Sequence, residues 1–463
     1  MKRLSTMPET QFLKIFFSFF SLSFLIGAFF MPDRADMIPG LWRILSSPAK
    51  APTNFFSVGG YAATFLNMSL VGFICTGLYC LPGRKANNAA TLVTILTVGF
   101  GAWGIHPVNI IPGMLGVVLH CIVKHEPIGK NTNAMLFSTG LAPFVSELMV
   151  RYPNSQPVGF TLDGIILALI VGMSVGYFLP TGLENSPKIH KGFALYSAAL
   201  PVGMTAFLLQ GFLYKSMGLE IPEAISDLSV SSATISNTFC IIFFTLCIIG
   251  ALAMGCTPLE YFKTMINPQN IVHFGAAYGN AAMLMNVGCS GLFILSYFNI
   301  VGAEFNGIVF GSVFCMLSTC NSGSHPLNIM PIMMGYGIAC HFFRFLTPYT
   351  GGEFTQFLHT QSIIVGICYA NGLSPIANEY GFQYGFLAAF MHFCMVTTVP
   401  QLHGGMCLYN GGFTAALVCL LLYHRLLQLF KLRFQSLLFG IFTRLFVETA
   451  EGGVNVIVGR CGR

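Results

Sequence analysis

The chain has 463 residues, 54% hydrophobic and only 8% charged, with a mean hydropathy of +0.72. A soluble domain carries about 25% charged residues, so a chain this poor in charge cannot cover a water-facing surface, and lipid must be most of its solvent. The net charge of +6 is concentrated at the ends, in Lys2, Arg3 and Lys14 and in Arg425, Lys431, Arg433, Arg444, Arg460 and Arg463. That excludes the basic folded face of a nucleic-acid binder.

The apolar segments follow in two series. The first runs 11–31, 57–80, 88–105, 108–123, 133–150, 159–180 and 191–214; the second runs 237–255, 275–297, 305–321, 327–343, 361–378, 383–400 and 404–424. A crossing helix needs about 20 apolar residues. Several segments are shorter or interrupted by Gly and Pro, which predicts half-helices among full spans. The first segment follows a basic start but leads into Met31-Pro32-Asp33 and not a small-residue cleavage site, so it is expected to stay as a span. The 15 cysteines are scattered through apolar runs with no CxxC pair and no Cys/His ligand spacing. They are expected as small apolar packers, with no metal site and no cofactor.

The second series repeats the first in sequence. His106-Pro107-Val108-Asn109-Ile110-Ile111-Pro112 recurs as His325-Pro326-Leu327-Asn328-Ile329-Met330-Pro331, and Asn67 recurs as Asn286 at the same offset. Gly140-Leu141-Ala142-Pro143-Phe144-Val145-Ser146-Glu147 recurs as Gly372-Leu373-Ser374-Pro375-Ile376-Ala377-Asn378-Glu379. Pro187-Lys188-Ile189-His190-Lys191-Gly192 recurs as Pro400-Gln401-Leu402-His403-Gly404-Gly405, and Leu195-Tyr196-Ser197 then as Leu408-Tyr409-Asn410. The offset drifts from block to block, but the order of the blocks is preserved, which indicates an internal duplication.

Residues 216–236 join the halves with Glu220, Glu223 and Asp227 and no Lys or Arg. Cytoplasmic loops are enriched in Lys and Arg. The linker is therefore expected outside and both basic termini inside, in a multi-pass protein of the cell membrane. Each half then crosses an odd number of times and the halves are inverted. Arg84, Lys85, Lys124, Lys130, Lys188 and Lys191 fall inside under seven crossings; Arg34, Arg43 and Lys50 fall outside and run against the rule. The expected fold is an all-α integral membrane protein of two inverted-topology repeats, 1–215 and 237–425, around an extracytoplasmic linker. The tail 426–463 reads as a cytoplasmic amphipathic segment.

Inverted repeats with broken helices place a transport path at the interface of the repeats. The repeated polar residues are its candidates: Asn67 with Asn286, His106 with His325, Asn109 with Asn328, Glu147 with Glu379, His190 with His403, Tyr196 with Tyr409, and Ser197 with Asn410. A carboxyl group within a membrane segment is costly and defaults to function. Structural roles compete for each residue: the glutamates as favourable charges near a helix start after Pro143 and Pro375, the asparagines as caps or interhelical links. Ser186 and Thr398 are expected to cap helices that begin at the following Pro and carry His190 and His403.

The His-Pro-x-Asn-Ile-x-Pro and Gly-Leu-[Ala/Ser]-Pro-x-x-x-Glu pairs resemble a family of uncharacterised bacterial polytopic membrane proteins, a domain of unknown function. More distantly, Phe65 to Gly72, Asn286 to Leu292 and Tyr409-Asn410-Gly411 resemble segments of urea transporters, with His190 and His403 where that family has Thr. That resemblance implies two inverted halves around a pore lined by half-helices. The expected function is a transporter or channel for a small polar solute, with the glutamates and histidines as proton relays if transport is coupled. Two alternatives are a membrane-embedded enzyme acting on a lipid or lipid-linked substrate and a membrane subunit of a larger complex. No Gly-x-x-x-x-Gly-Lys-[Ser/Thr], Gly-x-Ser-x-Gly or His-Glu-x-x-His motif supports an ATP motor or a hydrolase. The expected partners are the lipid bilayer and a small-molecule solute, with no nucleic acid; homo-oligomerisation is left open.

Overall fold

A computed structural model describes residues 2–153, 159–224, 226–266 and 273–423. The predicted tail 426–463 lies outside them. The described chain is all-helical, without strands, and six of its helices are long and apolar enough to cross a bilayer. It is a multi-pass α-helical membrane protein.

In the first half the principal helices are α1 (Glu9–Phe30), α2 (Tyr61–Cys80), α3 (Asn88–Phe100), α4 (Ile111–Lys124), α5 (Thr132–Phe137), α6 (Ala142–Arg151), α7 (Leu162–His190) and α8 (Ala199–Gln210). In the second they are α9 (Ala233–Ala253), α10 (Asn280–Ile300), α11 (Gly307–Leu317), α12 (Pro326–Leu346), α13 (Gln361–Ala370), α14 (Ser374–Tyr380), α15 (Phe382–Val396) and α16 (Asn410–Tyr423). The order of elements recurs, including the helix broken at Ser138–Leu141 and again at Asn371–Leu373. Side-chain caps set several starts: Asn87 accepts from Ala90 N–H at 3.1 Å, Thr161 from Gly164 at 3.1 Å and Ser232 from Ile235 at 3.2 Å. Each removes an orphan donor at a helix start.

Residues 101–110, between α3 and α4, are irregular and mostly buried. Their backbone groups must find partners inside the protein. Asn67 on α2 supplies them: its Nδ2 donates to Gly101 O at 2.7 Å and Ile105 O at 2.8 Å. Asn286 on α10 donates to Cys320 O and Ser324 O, both at 2.8 Å, which are the same two bonds at the repeat-related positions. Asn109 Nδ2 takes Gly104 O at 3.0 Å while its Oδ1 accepts from His106 N–H at 2.9 Å. Asn328 does the same with Gly323 O and His325 N–H, each at 2.9 Å.

The related helices α3 and α11 run antiparallel. Phe55 N–H donates to Ala102 O past the end of α3, while Asn54 Oδ1 accepts from Gly307 N–H at the start of α11. At their other ends, Asn321 after α11 donates to Thr91 Oγ1 in the first turn of α3 at 3.1 Å. Between these points the backbones touch: a Cβ on Gly311 would lie 2.3 Å from Gly99 O. Small residues permit this approach in a membrane, where packing and not water exclusion drives helix association. Phenylalanines fill the neighbouring space across the halves, with Phe24 and Phe239 ring centroids 4.8 Å apart and Phe65 stacked on Phe310 at 5.2 Å.

The linker marks one face. Its Pro222, Glu223, Asp227, Val230 and Ser231 carbonyls accept from Lys50, Arg151, Asn54 and Tyr61. The opposite face gathers Leu4 and Met7, whose carbonyls accept from Asn280, and the Lys130–Glu126 pair.

Replacing Gly311 with Val is expected to overpack the α3–α11 crossing and destabilise the protein by about 1–3 kcal/mol, read as a lower melting temperature in detergent. Gly77→Ala, where an added Cβ meets nothing within 4 Å, is expected to leave melting unchanged or slightly raised.

Candidate functional site

The helix breaks at Ser138–Leu141 and Asn371–Leu373 each receive a segment from the other half. Leu408 N–H donates to Gly140 O at 2.9 Å, and Leu195 N–H donates to Gly372 O at 2.9 Å. The ring of the next residue lies over the glycine: a Cβ on Gly140 would meet Tyr409 at 2.5 Å, and one on Gly372 would meet Tyr196 at 2.5 Å. Only glycine lets the ring come so close. Tyr196 Oη donates to Cys315 O at 2.9 Å, with Cys368 O at 3.2 Å.

The paired histidines close these entering loops. His190 Nε2 lies 2.8 Å from Ser197 Oγ, and His403 Nδ1 lies 2.5 Å from Asn410 Oδ1. Both pairs have the same spacing along the chain, and each clips a loop that carries a tyrosine inward. The expected capping by Ser186 and Thr398 is corrected here. Pro187 lies within the last turns of α7 and His190 is that helix's final residue, so Ser186 caps no start; its hydroxyl donates to Ser197 O at 2.5 Å. Thr398 precedes the short helix Val399–Leu402 without a side-chain cap bond. A proline inside a helix removes one bond of the ladder, yet α7 continues through Pro187 to His190.

A chain of ring contacts links the two entering tyrosines. Tyr196 lies 5.2 Å from Tyr369, Tyr369 lies 6.4 Å from Phe100, and Phe100 lies 5.5 Å from Tyr409. All four rings are buried. Leu195, beside Tyr196, lines a cavity of about 240 Å³; Leu408, beside Tyr409, lines another of about 300 Å³ that also touches Asn410 and Trp103.

The first cavity is the polar one. Lys191, Phe193, Asn328, Ser374, Asn378 and Glu379 surround it. Glu379 is exposed and Asn378 half-buried, and among the described residues neither side chain has a hydrogen-bond or ion-pair partner. The related positions in the first half are filled. Ser146, which matches Asn378, accepts from Asn109 Nδ2 at 2.9 Å and lies 3.1 Å from His106 Nε2. Glu147, which matches Glu379, is 3% exposed. Its Oε1 accepts from Lys50 N–H at 2.7 Å and its Oε2 pairs with the Arg151 guanidinium at 3.3 Å. Arg151 also donates to Glu223 O at 2.6 Å, and Lys50 Nζ to Pro222 O, so the linker closes over the pair. Burial lowers the pKa of the Lys50 ammonium and the Glu147 carboxylate opposes that shift. Only about 20 Å³ of space remains beside Glu147. At the same sequence offset as Arg151 stands Gln383, which lies beyond the end of α14 in the first turn of α15.

Of the sequence candidates, Asn328 and Glu379 line the polar cavity and Asn410 lines the other. Glu147 lies in the closed counterpart. Asn67, Asn286, Asn109, His106 and His325 surround the segments that follow α3 and α11, and His190, His403, Ser197 and Asn410 form the loop clips. Lys50, Arg151, Lys191, Ser374, Asn378 and the Phe100 and Tyr369 rings were not singled out from sequence. Arg151 carried a signal, since it lies one turn after Glu147. No group of three or more metal-binding side chains occurs among the described residues.

The helical fold, with six helices long and apolar enough to cross a bilayer, defines a polytopic membrane protein. The chain belongs to the family described as protein of unknown function (DUF1576), whose model matches residues 33–215 and 259–428. No curated protein and no solved structure matches it.

Removing Arg151 alone leaves a buried carboxylate unpaired. Arg151→Met is expected to cost about 3–5 kcal/mol, and the double change Glu147→Gln with Arg151→Met to restore most of it, read by thermal unfolding in detergent. Asn286→Asp keeps the shape but removes both donors to Cys320 and Ser324. It is expected to cost about 2–5 kcal/mol, against no change for the exposed Asn185→Asp.

Proposed function

We propose that the protein is a membrane transporter for a small polar solute, with its path between two inverted repeats. The observation that carries this reading is the contrast between Glu379 and Glu147. They occupy related positions, yet one faces an open cavity and the other is sealed by Arg151, Lys50 and the linker. A carrier built from inverted repeats exposes one end of its path while closing the other. The fold as described corresponds to one such state, and exchange of the two environments gives the other. The Tyr196–Tyr369–Phe100–Tyr409 rings form the barrier between the cavities.

The orientation proposed is that of the charge rule, with the linker outside and both termini in the cytoplasm of a cell-membrane protein. Two of the linker-face cations that run against the rule are engaged: Arg43 pairs with Asp36 and Lys50 binds the Pro222 carbonyl. The free ammonium of Lys191 lines the cavity on the opposite face, which by the same charge rule supports a cytoplasmic mouth. Proton coupling through Glu379 and Glu147 is the proposed energy source.

Purified protein in liposomes is expected to take up at least one member of a panel of small polar solutes, faster with an imposed pH gradient. Tyr196→Ala is expected to raise passive leak of that solute several-fold. Absence of uptake for every solute, together with turnover of a lipid, would remove the transporter reading in favour of an enzyme. Uptake that survives Glu147→Gln with Glu379→Gln would remove the proton relay.

A further inference from the structure

The two copies of the Gly-Leu-x-Pro-x-x-x-Glu block also indicate what the open copy is built to receive. In the closed copy the carboxylate has nitrogen partners from the protein itself: the Arg151 guanidinium 3.3 Å from Oε2 and the Lys50 N–H 2.7 Å from Oε1. In the open copy α14 ends at Tyr380, and the residue at the same sequence offset as Arg151 is Gln383, uncharged and exposed in the first turn of α15. Glu379 is left without the cation that its counterpart holds. On the same cavity sits Lys191, exposed and with no carboxylate within ion-pair distance among the described residues. A wall of neutral donors and acceptors, Asn328, Asn378, Ser322 and Ser374, joins the two charges.

We infer that this cavity binds a small zwitterion, with a protonated nitrogen on Glu379 and an anionic oxygen on Lys191 and Asn378. This assignment rests on the transporter reading and gives its substrate class. The volume of about 240 Å³ admits a solute of a few carbons with some retained water, since a water molecule takes up about 30 Å³. A lone cation would leave Lys191 repelling it, and a lone anion would face Glu379. A molecule carrying both charges satisfies each side chain, and the amides and hydroxyls can solvate its middle. Charge-assisted hydrogen bonds to both ends give more discrimination than either alone.

The test uses the purified full chain in detergent and a ruler of ω-amino acids: glycine, β-alanine, 4-aminobutyrate and 6-aminohexanoate. Binding is measured by titration calorimetry and by ligand-induced rise in melting temperature. One length is expected to bind about tenfold or more tighter than the alkylamine and the carboxylate of the same length. Glu379→Gln and Lys191→Gln are each expected to weaken it by about tenfold, while both ligand-free variants melt as the parent does, because neither side chain has a partner to lose among the described residues. Equal binding of amine, carboxylate and zwitterion, or unchanged affinity in the two variants, overturns the assignment. So does stabilisation by sodium chloride alone that the ω-amino acids do not exceed. The same ligands offered to proteoliposomes separate the two claims. Zwitterion binding lost in Glu379→Gln, without uptake, keeps the site and removes the transporter reading. Uptake of a neutral solute, with no zwitterion preference, keeps the transporter and removes the substrate class.

Discussion

Two buried asparagine side chains are the condition on which the architecture rests. A helix that ends among apolar side chains presents carbonyls that no water can reach, and each unmet group costs several kcal/mol in hydrocarbon. Asn67 and Asn286 each hold two such carbonyls, one turn apart, from the adjacent helix end. With those bonds made, α3 and α11 can stop short, and the irregular segments after them can turn back within the protein. The Asn109 and Asn328 bridges complete the turn. Everything later in each half, including the second helix break and the cavity beside it, is positioned by that early interruption.

The second consequence is reciprocity between the halves. Because each chain reversal is stable inside the protein, the loop carrying Tyr196 can enter the break at Gly372 and the loop carrying Tyr409 can enter the break at Gly140. The halves therefore share one interior, and the rings of Phe100, Tyr196, Tyr369 and Tyr409 fill it from both sides. Against this near-symmetric frame the differences carry information. Ser146 is short enough for the Asn109 amide and the His106 ring to approach, where Asn378 faces a cavity. Arg151 pairs with Glu147, whereas Glu379 has no ion-pair partner among the described residues.

Parts of this were legible in the sequence. The His-Pro-x-Asn blocks were legible as segment starts, because proline suits the first turn of a helix and asparagine can cap it. The glutamate pair was legible because a carboxyl group in a run as apolar as Ala142–Val150 needs a partner. The histidines were less so: His190 and His403 were visible as a repeated pair, but their role in clipping loops depends on Ser197 and Asn410 lying across a turn, a closeness that their spacing along the chain does not reveal. The prolines before them suggested helix starts, and in α7 the helix continued through Pro187 because tertiary packing outweighed the local signal. Lys50 was read as a charge against the topology rule; only the fold brings its backbone N–H to Glu147, 97 residues away in sequence.

The sequence by itself determined the solvent, the helical class and the duplication, because these follow from composition and from order along the chain. It also picked out which polar residues come in pairs. What the tertiary structure decided is which member of each pair is buried and which is open. That depends on contacts between residues far apart in the chain, above all the linker's carbonyls on Arg151 and Lys50, and on small differences in side-chain length at related sites. Local sequence carries the cost of placing a carboxylate in the membrane; only packing determines whether the protein or a solute meets it.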